Sequence, residues 1–398
     1  MQNFSYNKFS ANVIYKGNMS WQNMEKPLQI TENVFNIKYE PLAGASLTNL
    51  LRLYSQNKFM ISIKYMPRMF YATAMSNIMA PFRIKEKIKF NKKIKQTEIK
   101  HPPLFIIGHW RSGTTYIHNI LSLDNQFGYC TTFTATVPTV FLGSEKLFKP
   151  VLAASIPDKR PMDEVPMGPD LPQEEEYAIG DFIPYAYYNG WCFPKNMGFY
   201  NDFVSLENVS KEVIDEWKET YLYFLKKLTY YRDGKRLILK NPAHTARIKH
   251  LLKILPDAQF INIYRNPYHL YYSMMRFLQI VVPRYCLQKP DIQILERHML
   301  DLYVKMYKKY FEERNLIPEG NLVEIQYEDF IQNPLKDIKK IYSTLDLENF
   351  EESKKIFSDY VTSQKYFKAS TYKVDPAIKD KIYKKWKFVF DEFGYEMQ

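Results

Sequence analysis

The fold is decided by residues 104–123, which read LFIIGHWRSGTTYIHNILSL. Four consecutive apolar residues, Leu104–Ile107, are typical of a short parallel strand that is buried on both faces. Two glycines bound the turn at residues 108–115, and apolar residues return at helical spacing over residues 116–123. The stretch therefore predicts a strand, a glycine-bounded loop and a helix in direct succession.

Similar units recur along the chain. Three further short strands are predicted at residues 237–239, 260–264 and 322–326, and each leads into a turn and then a helical pattern. Such alternation predicts a parallel sheet with helices on both faces. We therefore expect an α/β protein with a three-layer P-loop-like fold, a central parallel sheet flanked by helices, over residues 101–398.

Residues 1–100 are predicted to form an N-terminal helical extension packed on that domain. Apolar residues at helical spacing run from about residue 46 to residue 96, with Pro67 and Pro81 as predicted breaks. Residues 83–95 carry seven basic side chains among isoleucines. A helix with this pattern either packs on its own domain or makes a peripheral contact with an anionic membrane surface.

Composition excludes several classes of protein. With 46% apolar and 25% charged residues, the chain has the ordinary balance of a globular protein. Its three cysteines are scattered without a C-x-x-C pair, so neither a disulfide framework nor a zinc site is predicted, and a reducing, cytoplasmic compartment is expected. No signal peptide and no membrane-spanning apolar run is recognised. The formal net charge of +12 favours anionic ligands.

The glycine-bounded loop predicts a phosphate site of altered chemistry. Its spacing, G-x-x-x-x-G, lets backbone N–H groups converge on an anion at the N-terminus of the following helix. Thr114 stands where a nucleotide triphosphatase carries a lysine, which argues against ATP with magnesium. The residues predicted to contact the phosphate are Arg111, Ser112, Gly113, Thr114 and Thr115.

A second phosphate site is predicted after the strand at residues 260–264. Arg265 follows this strand directly, and Ser273 lies eight residues further along the chain in a predicted helix. An arginine at a strand end and a serine about two helical turns along can converge on one phosphate. The alternative to phosphate binding is a purely structural role, in which Arg265 pairs with a carboxylate of the protein.

Together these segments resemble the nucleotide-dependent sulfotransferases. Residues 103–115 look like their 5′-phosphosulfate loop, and residues 264–273 look like their 3′-phosphate segment with its Arg-to-Ser interval. The loop GHWRSGTT and the acidic segment at residues 170–176, DLPQEEE, are similar to one bacterial branch, as are residues 239–244 and 326–334.

The resemblance departs from the usual family pattern at two positions. Asn266 stands where the family usually has Asp, and Asn241 stands where it usually has Ser. Neither change removes a charge that is needed to hold phosphate. The departures bear only on local contacts around the two segments.

The resemblance implies a sulfotransferase that moves a sulfuryl group from 3′-phosphoadenosine 5′-phosphosulfate (PAPS) to an acceptor hydroxyl. Arg111 and Lys240 match positions that contact the transferred group or its leaving phosphate, so they are candidates to stabilise the developing charge. No His/Cys/Asp cluster has metal-ligand spacing, and no metal is expected.

Candidates for the general base are carboxylates and histidines. Crowding raises a carboxylate pKa toward neutrality, which favours Glu174 and Glu175, although glutamates are also enriched in first helical turns. His244 is the second candidate, despite standing two residues further from Lys240 than in the family's Lys–His pair. His118 is an alternative contact to nucleotide or acceptor.

Two other functions would use parts of the same sequence. A P-loop kinase or triphosphatase would use the loop, but Thr114 opposes it. A non-catalytic protein that binds an anionic surface through residues 83–95 would leave both nucleotide segments without a role, and nucleic acid is not expected as a partner.

Aromatic residues at 185–193 and 133–141 either line an acceptor pocket or fill the core. With the basic stretch, they favour a lipophilic acceptor such as a sterol or lipid.

Overall fold

The computed structural model describes residues 40–163, 165–364 and 374–397. Within these ranges, five strands form one sheet and sixteen α-helices surround it. The strands are β1 (Leu104–Ile107), β2 (Phe127–Tyr129), β3 (Arg236–Lys240), β4 (Gln259–Tyr264) and β5 (Leu322–Gln326). The helices are α1 (Leu47–Gln56), α2 (Met66–Gln96), α3 (Thr114–Leu121), α4 (Thr132–Thr136), α5 (Phe141–Ser155), α6 (Glu175–Phe182), α7 (Asn189–Cys192), α8 (Met197–Ser205), α9 (Lys211–Tyr231), α10 (Ile248–Ile254), α11 (Pro267–Tyr285), α12 (Ile292–Glu313), α13 (Tyr327–Gln332), α14 (Pro334–Thr344), α15 (Phe350–Ser363) and α16 (Pro376–Phe393). Short 3₁₀ turns lie at Ile63–Tyr65, Pro194–Asn196, Pro242–Ala246 and Arg314–Leu316.

The sheet is parallel throughout, with the strand order β2-β3-β1-β4-β5. Phe105 of β1 lies opposite Leu239 of β3 on one side and Phe260 of β4 on the other. The predicted α/β class and central parallel sheet are therefore confirmed. Because parallel strands all end at the same edge, the carboxyl ends of β3, β1 and β4 lie side by side, where open α/β sheets place their ligand sites.

The two faces of the sheet bury separate apolar layers, as the pleat requires. Phe105, Ile107 and Leu239 pack into the larger cluster, under α9, α11 and α12. Leu104 and Ile106, which alternate with them along β1, pack into the second cluster under α3, α14 and α15. This arrangement gives the three layers that the strand–helix alternation predicts.

The remaining strand predictions agree with the structure, but one strand was missed and the bounds of one helix differ. Strand β2 was not predicted, because its three residues, FGY, are too few to show periodicity. The helix after the glycine-bounded loop begins at Thr114 and ends at Leu121, two residues earlier at each end than the prediction.

The part of the N-terminal extension that the structure describes is α1 and α2; residues 1–39 of the predicted extension lie outside the described residues. Pro67 lies in the first turn of α2, but the predicted break at Pro81 is wrong, because α2 continues through it. Pro81 is exposed, as is Asn77, whose carbonyl loses its helical partner and can be hydrated instead. No helix in the described ranges is both long and apolar enough to cross a bilayer.

Candidate active site

The loop between β1 and α3 requires glycine at both of its ends. Gly108 has a φ of 128°, and a Cβ there would lie 2.2 Å from the carbonyl oxygen of Ile263. Gly113 has a φ of 107°, and its Cβ would lie 2.5 Å from the ring of Tyr327. Glycine alone fits both the left-handed backbone and the close neighbours.

Hydrogen bonds fix the loop, and the N-terminus of the following helix has no side-chain cap among the described residues. The Gly108 N–H donates to Thr245 Oγ1 at 2.7 Å, and Ser112 Oγ donates to the His109 carbonyl at 2.7 Å. Gly113 is the N-cap of α3, and no described side chain caps the first N–H groups of this helix. These N–H groups are available to an anion, next to the hydroxyl of Thr114.

Arg111 joins the two predicted phosphate segments. Its backbone is held at a φ of 70°, in the left-handed region that non-glycine residues adopt infrequently. Its Nε donates to Ser273 Oγ at 3.0 Å, and its carbonyl accepts from Arg265 at 3.0 Å. The Arg265 guanidinium lies 4.4 Å from the centroid of the Tyr327 ring. Residues far apart in the chain thus meet at the carboxyl ends of β1 and β4.

Asp163 was not predicted as part of this cluster. Its carboxylate lies 2.5 Å from the Arg111 guanidinium and 2.7 Å from that of Arg160. Burial would raise the pKa of Asp163, but the two guanidinium groups hold it below its usual value. A carboxylate therefore contacts the cation that was expected to bind phosphate. Nothing in the local sequence indicates this pairing, because the loop around Asp163 reaches the site only through tertiary packing.

Both departures from the family pattern retain a local cap. Asn266 Oδ1 accepts from the N–H of Tyr268 at 3.0 Å and caps α11. Asn241 Oδ1 accepts from the N–H of Ala243 at 3.0 Å, while its Nδ2 donates to Glu176. An amide oxygen fulfils the same capping role as a hydroxyl or carboxylate oxygen.

A chain of hydrogen bonds connects the end of β3 to the loop. Lys240 Nζ donates to Glu174, and the hydroxyl of Tyr188 donates to the second oxygen of the same carboxylate. That hydroxyl accepts from Trp110 Nε1 at 2.8 Å, and Trp110 precedes Arg111. Burial lowers the pKa of Lys240, against the opposing effect of Glu174. Tyr188 was predicted only as an aromatic residue, because its polar contact depends on the fold.

Glu175 and His244 form a separate, enclosed cluster. Glu175 Oε1 accepts from Tyr221 at 3.1 Å and lies 3.1 Å from His244 Nε2, which is 2.8 Å from the Tyr221 hydroxyl. Neither the glutamate nor the histidine side chain is exposed to solvent. Burial lowers the pKa of His244, although Glu175 opposes this shift, so the imidazole is neutral at physiological pH.

Glu176 is the third member of the acidic run, and its role is structural. Arg247 binds both of its oxygens, at 2.8 Å and 3.0 Å, in a pair without exposed side-chain surface. Burial would raise the pKa of Glu176, but Arg247 and Asn241 lower it below its usual value. The expectation of carboxylate crowding concerned Glu174 and Glu175, and the adjacent Glu176 is instead neutralised by an arginine.

His118 lies on α3, fully buried against the ring edge of Tyr129. Burial first, and the ammonium of Lys240 second, hold its pKa well below the usual value. A neutral, buried imidazole in this position cannot supply positive charge to a phosphate.

The aromatic residues that were candidates for an acceptor pocket divide into two groups. Phe133, Phe141 and Phe193 have no exposed surface and fill the core. Tyr188 stacks on Trp191 with ring centroids 4.0 Å apart and extends from Glu174 into a larger aromatic cluster. Other rings that contact this pair are those of Tyr177, Tyr187, Phe277 and Tyr285.

The site contains several cations. Among the described residues, no group of three or more His, Cys, Asp or Glu side chains could hold a metal ion. Arg111, Arg265 and Lys240 lie at the ends of the three central strands, beside the open N-terminus of α3. Such an arrangement suits a ligand that carries several phosphate or sulfate groups.

Comparison with known proteins gives consistent findings. The family model described as "Sulfotransferase family" matches residues 102–352, more than half of the chain. The omega-hydroxy-beta-dihydromenaquinone-9 sulfotransferases Stf3 of Mycobacterium bovis and Mycobacterium tuberculosis are each 30% identical over 354 residues, covering 89% of this chain and 90% of the relative.

Solved structures with the same fold include two mycobacterial sulfotransferases. STF9 from Mycobacterium avium has a TM-score of 0.65 at 14% identity, covering 89% of this chain and 97% of its own. STF1 from Mycobacterium tuberculosis has a TM-score of 0.58 at 17% identity, covering 83% of this chain and 88% of its own. At these identities the structural likeness bears on the fold.

Proposed function

Since the chain belongs to the sulfotransferase family, we propose that it transfers a sulfuryl group from PAPS to the hydroxyl of a lipophilic acceptor. The observation that carries this proposal is the continuous contact from Lys240 through Glu174, Tyr188 and Trp110 to the loop that contains Arg111. It joins a buried cation, a carboxylate and an anion-binding loop at one edge of the sheet.

The donor is assigned from the two groups of phosphate-binding residues. The N-terminus of α3 with Ser112, Gly113, Thr114 and Thr115 would hold the 5′-phosphosulfate, and Arg265 with Ser273 would hold the 3′-phosphate. The 3.0 Å contact between Arg111 and Ser273 supports a single ligand that spans both groups. When bound, PAPS supplies an activated sulfuryl group on a phosphate leaving group.

Lys240 and Glu174 are assigned complementary roles in the transfer. The ammonium of Lys240 is desolvated, so its attraction for charge on the leaving phosphate is stronger than it would be in water. If donor phosphate draws Lys240 away, Glu174 is released to accept the proton of the acceptor hydroxyl. The side chain of Glu174 is 12% exposed, whereas those of Glu175 and His244 are not exposed, which favours Glu174 as the base.

A lipophilic acceptor is supported by the residues that surround the proposed base. The aromatic cluster of Tyr177, Tyr188, Trp191, Phe277 and Tyr285 begins at Glu174, and rings of this kind suit a flat or apolar ligand. The relatives at 30% identity are named for action on a hydroxylated menaquinone. A hydroxylated isoprenoid quinone is therefore the acceptor class that we propose.

The proposal is tested by incubating the full chain with sulfur-labelled PAPS and a panel of acceptors. We expect label to move to a hydroxylated polyprenyl quinone, and to move more slowly to a short phenol or a sugar. Label on the sugar alone would contradict the acceptor class. Magnesium-dependent ATP hydrolysis without sulfuryl transfer would contradict the donor and favour a P-loop triphosphatase.

The assignment of the base predicts a difference between Glu174 and a glutamate outside the site. Glu174→Gln should lower kcat about 10²- to 10⁴-fold, because the hydroxyl loses its proton acceptor. Glu219→Gln, at an exposed position on α9, is the matched control and should leave kcat unchanged. If both variants fold and His244→Gln loses more kcat than Glu174→Gln, the result would contradict this assignment and identify His244 as the general base.

A further inference from the structure

The buried side of helix α2 carries charged and polar residues among apolar ones. Arg68, Ser76 and Glu86 are buried there together with Ala72, Met79 and Ile94. Arg68 pairs with Glu40 at 3.2 Å, and Glu86 pairs with Lys227 of α9 and accepts from the N–H of Gly143 at 2.9 Å. These contacts fix the rotation of α2, because turning it would leave buried charges without partners.

The opposite face of α2 exposes a row of large apolar side chains. Phe70, Ile78, Ile84 and Ile88 have exposed fractions of 58%, 54%, 62% and 81%. At about 3.6 residues per turn, Phe70, Ile84 and Ile88 lie within about 40° of one another around the helix axis. A helix on a water-facing surface normally has the reverse arrangement, with apolar residues inward. The apolar stripe therefore indicates contact with something other than water.

The exposed apolar surface continues beyond α2. Phe59, Met60 and Ile63 precede this helix and are 61%, 55% and 84% exposed. Residues 47–88 hold nine of the seventeen large apolar side chains that are exposed in the described parts of the chain. Scattered apolar residues are ordinary on a protein surface, but this concentration on one N-terminal segment is typical of an interaction site.

Lysines border the stripe toward the C-terminal end of α2. Lys95 lies near its centre line, Lys92 and Lys85 lie about 50° and 70° to one side, and Lys87 and Lys89 lie about 90° and 110° away on opposite sides, at about 100° per residue. All five are exposed, and none of them pairs with a carboxylate among the described residues. The surface thus combines protruding apolar side chains with unneutralised positive charge.

We propose that this outer face of α2, with residues 59–63, lies on an anionic lipid bilayer. Apolar side chains enter the boundary between headgroups and acyl chains, while lysines contact the lipid phosphates, as in helices that lie in a membrane interface. Nucleic acid would engage the lysines but leave Phe70, Ile84 and Ile88 in water. A second copy of the chain on the same face would bring two rows of lysines together.

This contact would deliver the acceptor proposed above, and that part of the inference rests on the proposed function. A hydroxylated isoprenoid lipid is dissolved in the bilayer, so an enzyme held at the membrane surface meets it without extracting it into water. The contact of the face with lipid itself depends only on α2. Binding to vesicles can therefore be measured without donor or acceptor, and it is distinguishable from sulfuryl transfer.

The test is flotation of the full chain with vesicles of phosphatidylcholine alone and of phosphatidylcholine with phosphatidylglycerol. We expect binding to the anionic vesicles, and a lysine near such a surface contributes about fivefold in affinity. Lys85→Glu with Lys92→Glu should therefore weaken binding at least about tenfold. Ile84→Asp with Ile88→Asp should abolish it, and the milder Ile84→Ser with Ile88→Ser should weaken it while preserving the fold.

Matched controls lie on the opposite part of the molecule. Ile331→Asp with Ile356→Asp changes two isoleucines that are also exposed, at 42% and 44%, and Lys339→Glu with Lys355→Glu changes two exposed lysines. Both controls should bind vesicles as the unaltered chain does. Equal binding by the α2 variants and the controls would overturn the proposal. The proposal would also be overturned if the unaltered chain did not bind vesicles and instead bound an oligonucleotide or formed a dimer, and if the Ile84 and Ile88 substitutions abolished that complex or dimer.

Discussion

The Lys240→Met variant is expected to lose at least about a hundredfold in kcat, because removal of one preorganised donor to developing charge costs about 10²–10³. Only 2% of the Lys240 side chain is exposed, and it lies at the end of β3 beside the phosphate-binding loop. Methionine fills a similar volume without the ammonium group. Steady-state kinetics at saturating PAPS would measure the loss in kcat.

Lys235→Met provides the control for this prediction. Lys235 is exposed and lies directly before the same strand, at the edge away from the site, so its substitution should leave kcat unchanged. Glu174 keeps its contact with Tyr188 in the Lys240 variant, and its partial exposure limits the effect on folding. A folded Lys240→Met enzyme with a kcat close to that of the Lys235 control would exclude Lys240 from stabilising the leaving group.

The second large effect is on stability, at Arg247. This guanidinium binds both oxygens of Glu176, donates to the Phe203 carbonyl at 2.9 Å and lies 5.0 Å from the centroid of a Trp217 ring. Arg247→Ala leaves the Glu176 carboxylate buried without its cation, which costs about 3–5 kcal/mol. Urea denaturation at neutral pH should show this decrease in the free energy of unfolding.

The same pair predicts the direction of a pH effect. The folded-state pKa of Glu176 lies below its usual value of 4.5, so its stabilisation is present above that pH and is lost as the pH falls through the folded-state pKa. The difference in free energy between the unaltered chain and Arg247→Ala should therefore shrink in acid. Lys385→Ala breaks a pair with Asp301 whose side chains are 37% and 56% exposed, and it should cost no more than about 1 kcal/mol. If the free energy of unfolding of Arg247→Ala were as high as that of Lys385→Ala, the result would contradict the claim that the buried Arg247–Glu176 pair stabilises the fold.

The strand–loop–helix at residues 104–123 could be predicted because its signals are local. A fully apolar strand, two glycines in a left-handed backbone and a helix start are each specified within a few residues. The course of α2 through Pro81 could not be predicted, because the penalty for proline depends on whether the freed Asn77 carbonyl reaches water. The burial of charged residues on α2 was also hidden, because Glu86 appears solvated until Lys227 is placed beside it.

The candidate site was predictable at the level of segments rather than contacts. Arg111 and Ser273, which belong to the two segments that the family resemblance indicated, are brought together across 162 residues of chain separation. Asp163, Tyr188 and Arg247 were missed, because each contributes through a partner from another segment. Glu174, Glu175 and Glu176 are adjacent in sequence and yet have three different environments, which only the packing around α6 determines.

The most direct measurement is calorimetric titration of the full chain with 3′,5′-bisphosphoadenosine and, separately, with ATP and magnesium. We expect preferential binding of the bisphosphate. Affinity should fall about ten- to a hundredfold in Arg265→Ala, because a hydrogen-bonded charge on the 3′-phosphate is removed. Arg276→Ala, on the same helix as Ser273, should bind as the unaltered chain does. A preference for ATP, or bisphosphate binding that is indifferent to Arg265, would contradict the nucleotide site proposed here.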